Sequence, residues 1–196
     1  MTHTPGMSDA LGVNPADFPV PTPLLNIILH QPEIPNNTGN IGRTCIATGC
    51  ALHLIRPLGF DTTEKACRRA GLDYWPRLQP TEHENWPAYL SSRHAPSDRL
   101  WLFTTKTARP LWQADFRLGD HLLFGKETAG LPDEILNQHP SRLVTLPMLP
   151  GERSLNLATA VCAAIYEALR QMTLRADLIL DPSGRIVPNA DTPQTR

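Results

Sequence analysis

Short apolar runs and longer helical patterns alternate along the chain from about residue 24 to 173. Leu25 to Leu29 is one such run, and after the turn-rich stretch Gln31 to Gly39 a helical pattern covers about Asn40 to Thr48, so the chain opens as strand, loop, helix. Leu52 to Ile55 follows Gly49 and is bounded by Pro57 and Gly59, with Thr62 or Thr63 placed to cap a short helix running to Ala70. Tyr74 to Leu78 reads as a strand whose Pro76 marks an edge or a bulge. Thr81 and Glu84 match a capping box ahead of Trp86 to Leu90.

Leu100 to Thr104, His121 to Phe124 and Arg142 to Leu146 are further apolar runs, each leading into a polar or glycine-containing loop, which is the pattern of central parallel strands. Leu157, Val161, Ile165, Ala168, Leu169 and Met172 then recur at helical spacing, with Glu167, Arg170 and Gln171 between them. This alternation predicts an α/β fold, a mostly parallel sheet with helices on both faces. In such sheets ligands bind beyond the carboxyl ends of the strands.

Residues 1 to 23 hold five prolines and no basic start followed by an apolar stretch, so they read as a flexible leader rather than a signal peptide. After Arg175 the chain carries Asp181-Pro182, Gly184, Pro188 and Pro193 with little periodicity, and residues 174–196 are expected to form a mobile tail. That leaves one domain at 24–173.

Composition narrows the class only slightly. At 196 residues the chain is long enough to bury a core without disulfides or metals. No apolar run approaches the roughly 20 residues of a membrane span. Cys45, Cys50, Cys67 and Cys162 form no CxxC pair and have no histidine at metal-ligand spacing, so they are expected as reduced thiols in a cytoplasmic protein without a metal. A formal net charge of −1 gives no global attraction to nucleic acid, so RNA binding would need a local patch. Lys65, Arg68, Arg69 and Arg77 supply one candidate, equally readable as a solvated helix face.

Three loops carry the candidate chemistry. Asn36-Asn37-Thr38-Gly39-Asn40-Ile41-Gly42-Arg43 crowds short amides and glycines before a helix, an arrangement that offers backbone N–H groups and the Arg43 guanidinium to a phosphate. Asn37 as a plain helix cap and Arg43 as a surface arginine is the simpler alternative. The loop lacks the first glycine of GxGxxG, and the next strand ends in Arg56 rather than an acid, which disfavours a dinucleotide oxidoreductase. Phe124-Gly125-Lys126-Glu127-Thr128-Ala129-Gly130-Leu131-Pro132 lets backbone approach a ligand, with Glu127 placed either to orient a catalytic group or simply to be solvated. Pro147 to Ser154 leads into the last helix, with Ser154 as its expected N-cap and Asn156 in its first turn.

In this order, Asn37 to Arg43, Phe124 to Pro132 and Arg153-Ser154-Leu155-Asn156-Leu157 resemble the three motifs of SPOUT RNA 2′-O-methyltransferases. Arg68-Arg69-Ala70-Gly71-Leu72-Asp73-Tyr74 and Thr104-Thr105-Lys106 narrow the resemblance to the small tRNA (cytidine/uridine-34) 2′-O-methyltransferases. Two positions depart from the commonest pattern: Gly42 stands where a bulky aliphatic is usual, and Lys126 where a proline is frequent. The resemblance implies a homodimer with a carboxyl-terminal trefoil knot, using S-adenosylmethionine to methylate the wobble ribose in the anticodon stem-loop of tRNA. It puts Phe103, Thr104, Gly125, Glu127, Gly130, Leu146, Ser154 and Leu155 at the cofactor. Arg43, Ser154, Asn156 and Glu127 fall at the reacting groups, and Asn37, Arg43, Lys65, Arg68 and Arg69 at the RNA. Methylation of ribosomal RNA and a catalytically silent RNA-binding knot are the alternatives.

The family assigns proton removal to the arginine here numbered 43, but arginine side chains keep their proton at ordinary pH. The expected role of Arg43 is therefore to hold the neighbouring phosphate and stabilise the developing alkoxide, while Ser154, Asn156 or a water relays the proton.

Overall fold

The computed structural model describes residues 23–63, 74–93 and 99–188. Six strands, β1 (Leu25–His30), β2 (Ala51–Ile55), β3 (Thr81–His83), β4 (Leu100–Phe103), β5 (Asp120–Phe124) and β6 (Leu143–Val144), form one sheet in the order β3-β2-β1-β5-β4-β6. Every pairing in it is parallel. Among the described residues five helices accompany it: α1 (Pro35–Thr48), α2 (Trp75–Leu78), α3 (Trp86–Arg93), α4 (Asp133–Gln138) and α5 (Leu157–Leu174).

The near-continuous apolar runs of β1 and β5 are explained by burial on both faces. Leu25, Ile27 and Leu29 pack with Ile41 and Cys45 of α1 and with Val161, Ile165 and Met172 of α5. Ile28 points the other way, to a second cluster with Ile55, Leu102 and Leu123, closed by Trp86 and Tyr89 of α3 and Ile135 and Leu136 of α4. The α/β architecture expected from the pattern is the observed one.

Local assignments differ in several places. α1 begins at Pro35, five residues before the expected start, because proline at the first helical position has the right φ already and lacks only an N–H the helix would leave unused. Asn37, Thr38 and Gly39 are thus helical. Pro76 sits in the first turn of α2, not in a strand. Thr81 opens the edge strand β3 instead of a capping box, and the α3 amide of Ala88 donates to Asn85 Oδ1 at 2.9 Å. β6 is shorter than Arg142 to Leu146, although Thr145 continues alongside Pro110. Residues expected as a structureless tail form an antiparallel hairpin, β7 (Leu178–Leu180) with β8 (Ile186–Pro188), and Leu178 is buried against the α1/α5 cluster. The expected leader and most of the expected helix from Thr62 or Thr63 to Ala70 lie outside the described residues. Among the described residues no helix is long and apolar enough to cross a membrane.

Candidate functional site

Because all six strands are parallel, the segments leaving β1, β4, β5 and β6 emerge at one edge of the sheet. Two of the three motif segments leave these strands, the third heads α5, and Glu127 joins them. Its Oε2 accepts the Glu33 N–H at 2.8 Å, and its Oε1 accepts the Ile34 N–H at 3.3 Å and the Asn37 Nδ2–H at 2.9 Å. α1 has no cap from its own residues at Ile34. A carboxylate from 90 residues away supplies it, where the helix dipole favours negative charge.

This corrects the expected anion cradle. The Ile34 amide is taken by Glu127, and the Asn37 and Thr38 amides donate to Ile34 O at 3.1 and 3.3 Å. The anion at this helix end is the protein's own side chain.

Asn37 passes the connection on. Asn156 Nδ2 donates to Asn37 Oδ1 at 2.9 Å, and Asn156 Oδ1 accepts the amides of Ala158 at 2.9 Å and Thr159 at 3.2 Å. Asn156, not Ser154, therefore caps α5, since the helix starts at Leu157 and the short amide reaches its N2 and N3 donors. Ser154 is exposed and makes no hydrogen bond to a described residue.

Around Glu127 the chain is tightly closed. A Cβ on Gly125 would lie 2.0 Å from the Gly130 carbonyl carbon, so only glycine fits. Gly130 takes φ +69° and donates its N–H to Lys126 O at 2.9 Å. Glu33 answers Glu127 reciprocally, its Oε2 accepting Thr128 N–H at 3.2 Å and Thr128 Oγ1–H at 2.8 Å, with Lys126 Nζ 3.9 Å from its Oε1. Burial, and next the charge of Lys126, lowers the pKa of His30 at the end of β1, which favours the neutral ring.

The expected cofactor residues fall into two groups. Thr104, Gly125, Gly130 and Leu146 stand at the ends of β4, β5 and β6, Thr104 donating its N–H to Val144 O at 3.0 Å. Ser154 and Leu155 lie on the exposed segment before α5, as does Leu149, which is 79% exposed. The ring of Phe103 is not an open wall: it is buried, stacked 4.3 Å from Phe124 and 6.4 Å from Phe116.

Arg43 is not brought to this cluster. It lies six residues after Asn37 on α1, about 120° around the helix, and its guanidinium stacks 5.1 Å from the centre of the Tyr74 ring. Lys65, Arg68 and Arg69 lie outside the described residues; Arg77 is exposed on α2. Between α1 and α5 runs an open groove of about 560 Å³, lined by Asn40, Thr44, Asn156, Thr159, Cys162 and Tyr166, with Tyr166 56% exposed.

Sequence reasoning missed Glu33 and the contact of Tyr74 with Arg43. Glu33 stands three residues before Asn36 and carried no pattern of its own, and Tyr74, the last residue of a motif in the resemblance, was assigned to a strand.

With this geometry in place, the comparison with protein families is decisive: the SpoU rRNA Methylase family model matches residues 24–166. The chain belongs to this family. Among curated relatives of this SpoU-family chain is a tRNA (cytidine(34)-2′-O)-methyltransferase of Saccharophagus degradans, 47% identical over 76% of this chain and 96% of that protein. A solved structure described as giving structural insights into the 2-OH methylation of C/U34 on tRNA is 46% identical, covers 77% of this chain and 97% of its own, and superposes with a TM-score of 0.70. The SpoU methyltransferase AviRb of Streptomyces viridochromogenes, solved in complex with AdoMet, is 27% identical, with 81% and 61% coverage and a TM-score of 0.62.

Proposed function

We propose that this chain transfers a methyl group from S-adenosylmethionine to the ribose 2′-hydroxyl of the wobble nucleotide, C34 or U34, of tRNA, working as a homodimer in the cytoplasm. The observation that carries this reading is the Glu127–Asn37–Asn156 chain of hydrogen bonds, which links the three motif segments at the carboxyl edge of a parallel sheet. The residues there suit the cofactor. Leu149 and Leu155 offer exposed apolar surface for an adenosine, and the turns at Gly125 and Leu146 offer main chain for its polar edge. In this reading the carboxyl half forms the trefoil knot that the resemblance implies.

S-Adenosylmethionine supplies a methyl group on a sulfonium, ready for in-line displacement by an oxygen. The protein's part is alignment, charge and proton transfer. Glu127 already accepts three hydrogen bonds, and both ends of the Asn156 amide are used. Their role is to hold the loops in register. Ser154, exposed and without a hydrogen bond to a described residue, relays the proton, directly or through water. Arg43 binds the phosphate beside the reacting ribose and stabilises the developing alkoxide.

Within one chain Arg43 points away from Asn156, which supports a site completed by a second copy. The α1/α5 groove, with exposed Tyr166 on one side and Asn40 and Thr44 on the other, is the face on which that copy docks. Lys65, Arg68 and Arg69 grip the anticodon stem; Arg68→Ala is expected to weaken tRNA binding and flatten its salt dependence while leaving cofactor affinity unchanged.

The deciding experiment is transfer of labelled methyl from S-adenosylmethionine to total tRNA by the purified chain, with nuclease mapping of the product. Label on the ribose of nucleotide 34 that disappears in Arg43→Ala is the expected result. Label on ribosomal RNA alone would move the substrate. Cofactor binding without any transfer would make the chain a silent RNA-binding knot.

A further inference from the structure

Among the described arginines, Arg56, Arg99, Arg109, Arg117, Arg170 and Arg175 each donate to a carboxylate or a backbone carbonyl. Arg43, like Arg142 over the Trp101 ring at 4.8 Å, has no such partner among the described residues; its guanidinium lies over the face of Tyr74, 5.1 Å from the ring centre. The difference is chemical. A carboxylate would cancel the charge and occupy the N–H donors, whereas a ring face attracts the cation and leaves the donor edge of the guanidinium free for an anion.

Tyr74 is itself anchored to the helix that carries Arg43. Its hydroxyl donates to Gly39 O, and Gly39 and Arg43 are one turn apart on the same face of α1. The ring reaches that position because α2 lies close against α1 at Gly42. A Cβ on Gly42 would fall 2.6 Å from Leu78 Cδ2, 3.5 Å from Tyr74 and 3.6 Å from Trp75. The glycine that departs from the usual aliphatic residue thus admits the side chains of the Tyr74–Leu78 segment. A long, exposed side chain with many rotamers thereby has a ring face to rest on before substrate arrives, with no carboxylate partner among the described residues.

We infer that Tyr74 is a positioning residue for Arg43, orienting the guanidinium for the RNA phosphate through its ring face. This rests on the reading of Arg43 given above, and the test separates the two. Methyl transfer to unfractionated tRNA is measured at saturating substrate for wild type, Tyr74→Phe, Tyr74→Leu, Arg43→Ala and the Tyr74→Leu/Arg43→Ala double variant. The Nε–Hε resonance of Arg43, assigned through Arg43→Lys, is followed by NMR in parallel. Tyr74→Leu is expected to lower kcat by about tenfold with KM for S-adenosylmethionine within about twofold, since misplacement of a reacting group acts on turnover. Tyr74→Phe recovers most of the rate, and Tyr74→Leu slows Arg43→Ala no further. The Arg43 resonance shows an upfield ring-current shift in wild type and Tyr74→Phe and loses it in Tyr74→Leu.

Wild-type turnover in Tyr74→Leu beside a dead Arg43→Ala overturns the role of Tyr74 alone. Equal slowing in Tyr74→Phe and Tyr74→Leu overturns it too, because the hydroxyl would then be the working part. Full activity in Arg43→Ala overturns the reading of Arg43 and this inference with it. Should Tyr74→Leu not fold, the wild-type spectrum decides: an unshifted Arg43 resonance removes the stack.

Discussion

Two polar networks belong to this sheet, one at its carboxyl edge and one buried on a face. At the carboxyl edge, Glu127, Asn37 and Asn156 join loops and helix ends, binding mostly backbone amides and lying partly open to solvent. On the face covered by α3, Asn26, His53, His83, Tyr89 and His121 are all buried. There, Asn26 Nδ2 donates to Gly119 O at 3.0 Å, and His53 lies 3.3 Å from Asn26 Oδ1 and 3.2 Å from His83 Nε2. The Tyr89 hydroxyl pairs with His121 Nδ1, and its ring meets His53 and His83 edge-on at 5.4 and 5.0 Å.

The residue types overlap, so identity does not set the role; surroundings do. Buried side chains that satisfy one another specify which strands lie side by side, since a slipped register would leave them without partners in an apolar layer. Side chains that hold loop amides in view of solvent position a site for a ligand.

Exchanging damage between the two networks tests this division. The largest effect is expected from His53→Ala, which removes the link between Asn26 and His83 and should cost about 3 kcal/mol of stability, lowering Tm by roughly 6–12 °C in calorimetry. Its cofactor affinity well below Tm should stay at the wild-type value; a weakened affinity would mean that the buried network reaches the site. Glu127→Gln is the mirror image: the loss of a charge-assisted acceptor, about 2 kcal/mol, should appear as a roughly thirtyfold fall in methyl transfer with a small change in Tm.

Asp120 sharpens the picture at the amino end of β5. Burial raises its pKa to about 6, against the pull of the Arg117 amide, Arg99 and the Trp101 N–H. A carboxyl group whose proton is held more tightly in the folded state stabilises the fold most below pH 4, and that contribution is lost as pH rises through 6. Urea denaturation from pH 4 to 7 should show a decline of about 2 kcal/mol from this group, absent in Asp120→Asn. An equal slope in the variant would assign the decline to another group. The smallest expected effect is that of Asn156→Ala, about 1 kcal/mol from the lost cap of α5, read as a denaturation midpoint shift. Asn156→Asp should restore the cap but not the donation to Asn37, separating helix stability from loop registration in activity.

Much of the fold was legible in the chain itself. The apolar runs of β1, β2, β4 and β5 and the spacing of α5 reported themselves because burial on both faces, or along one stripe, leaves a periodic signature. The shorter elements did not. The Tyr74 to Leu78 stretch has the composition of a strand and becomes helical where it packs on α1, and Thr81 to His83 is a strand because β2 offers it an edge. The motif segments that carry the family resemblance were equally readable.

What no local pattern could specify is which partner each side chain finds. Glu127 caps a helix that begins 92 residues earlier, Asn156 rather than Ser154 caps α5, Phe103 turns into the core, and Arg43 rests on Tyr74. Sequence by itself determined the succession of strands and helices and the chemical groups at their ends, because both depend on neighbours within a few positions. Tertiary structure alone decided how those groups pair, because hydrogen bonds and stacks form between residues that are adjacent only after the parallel sheet has brought its strand ends together.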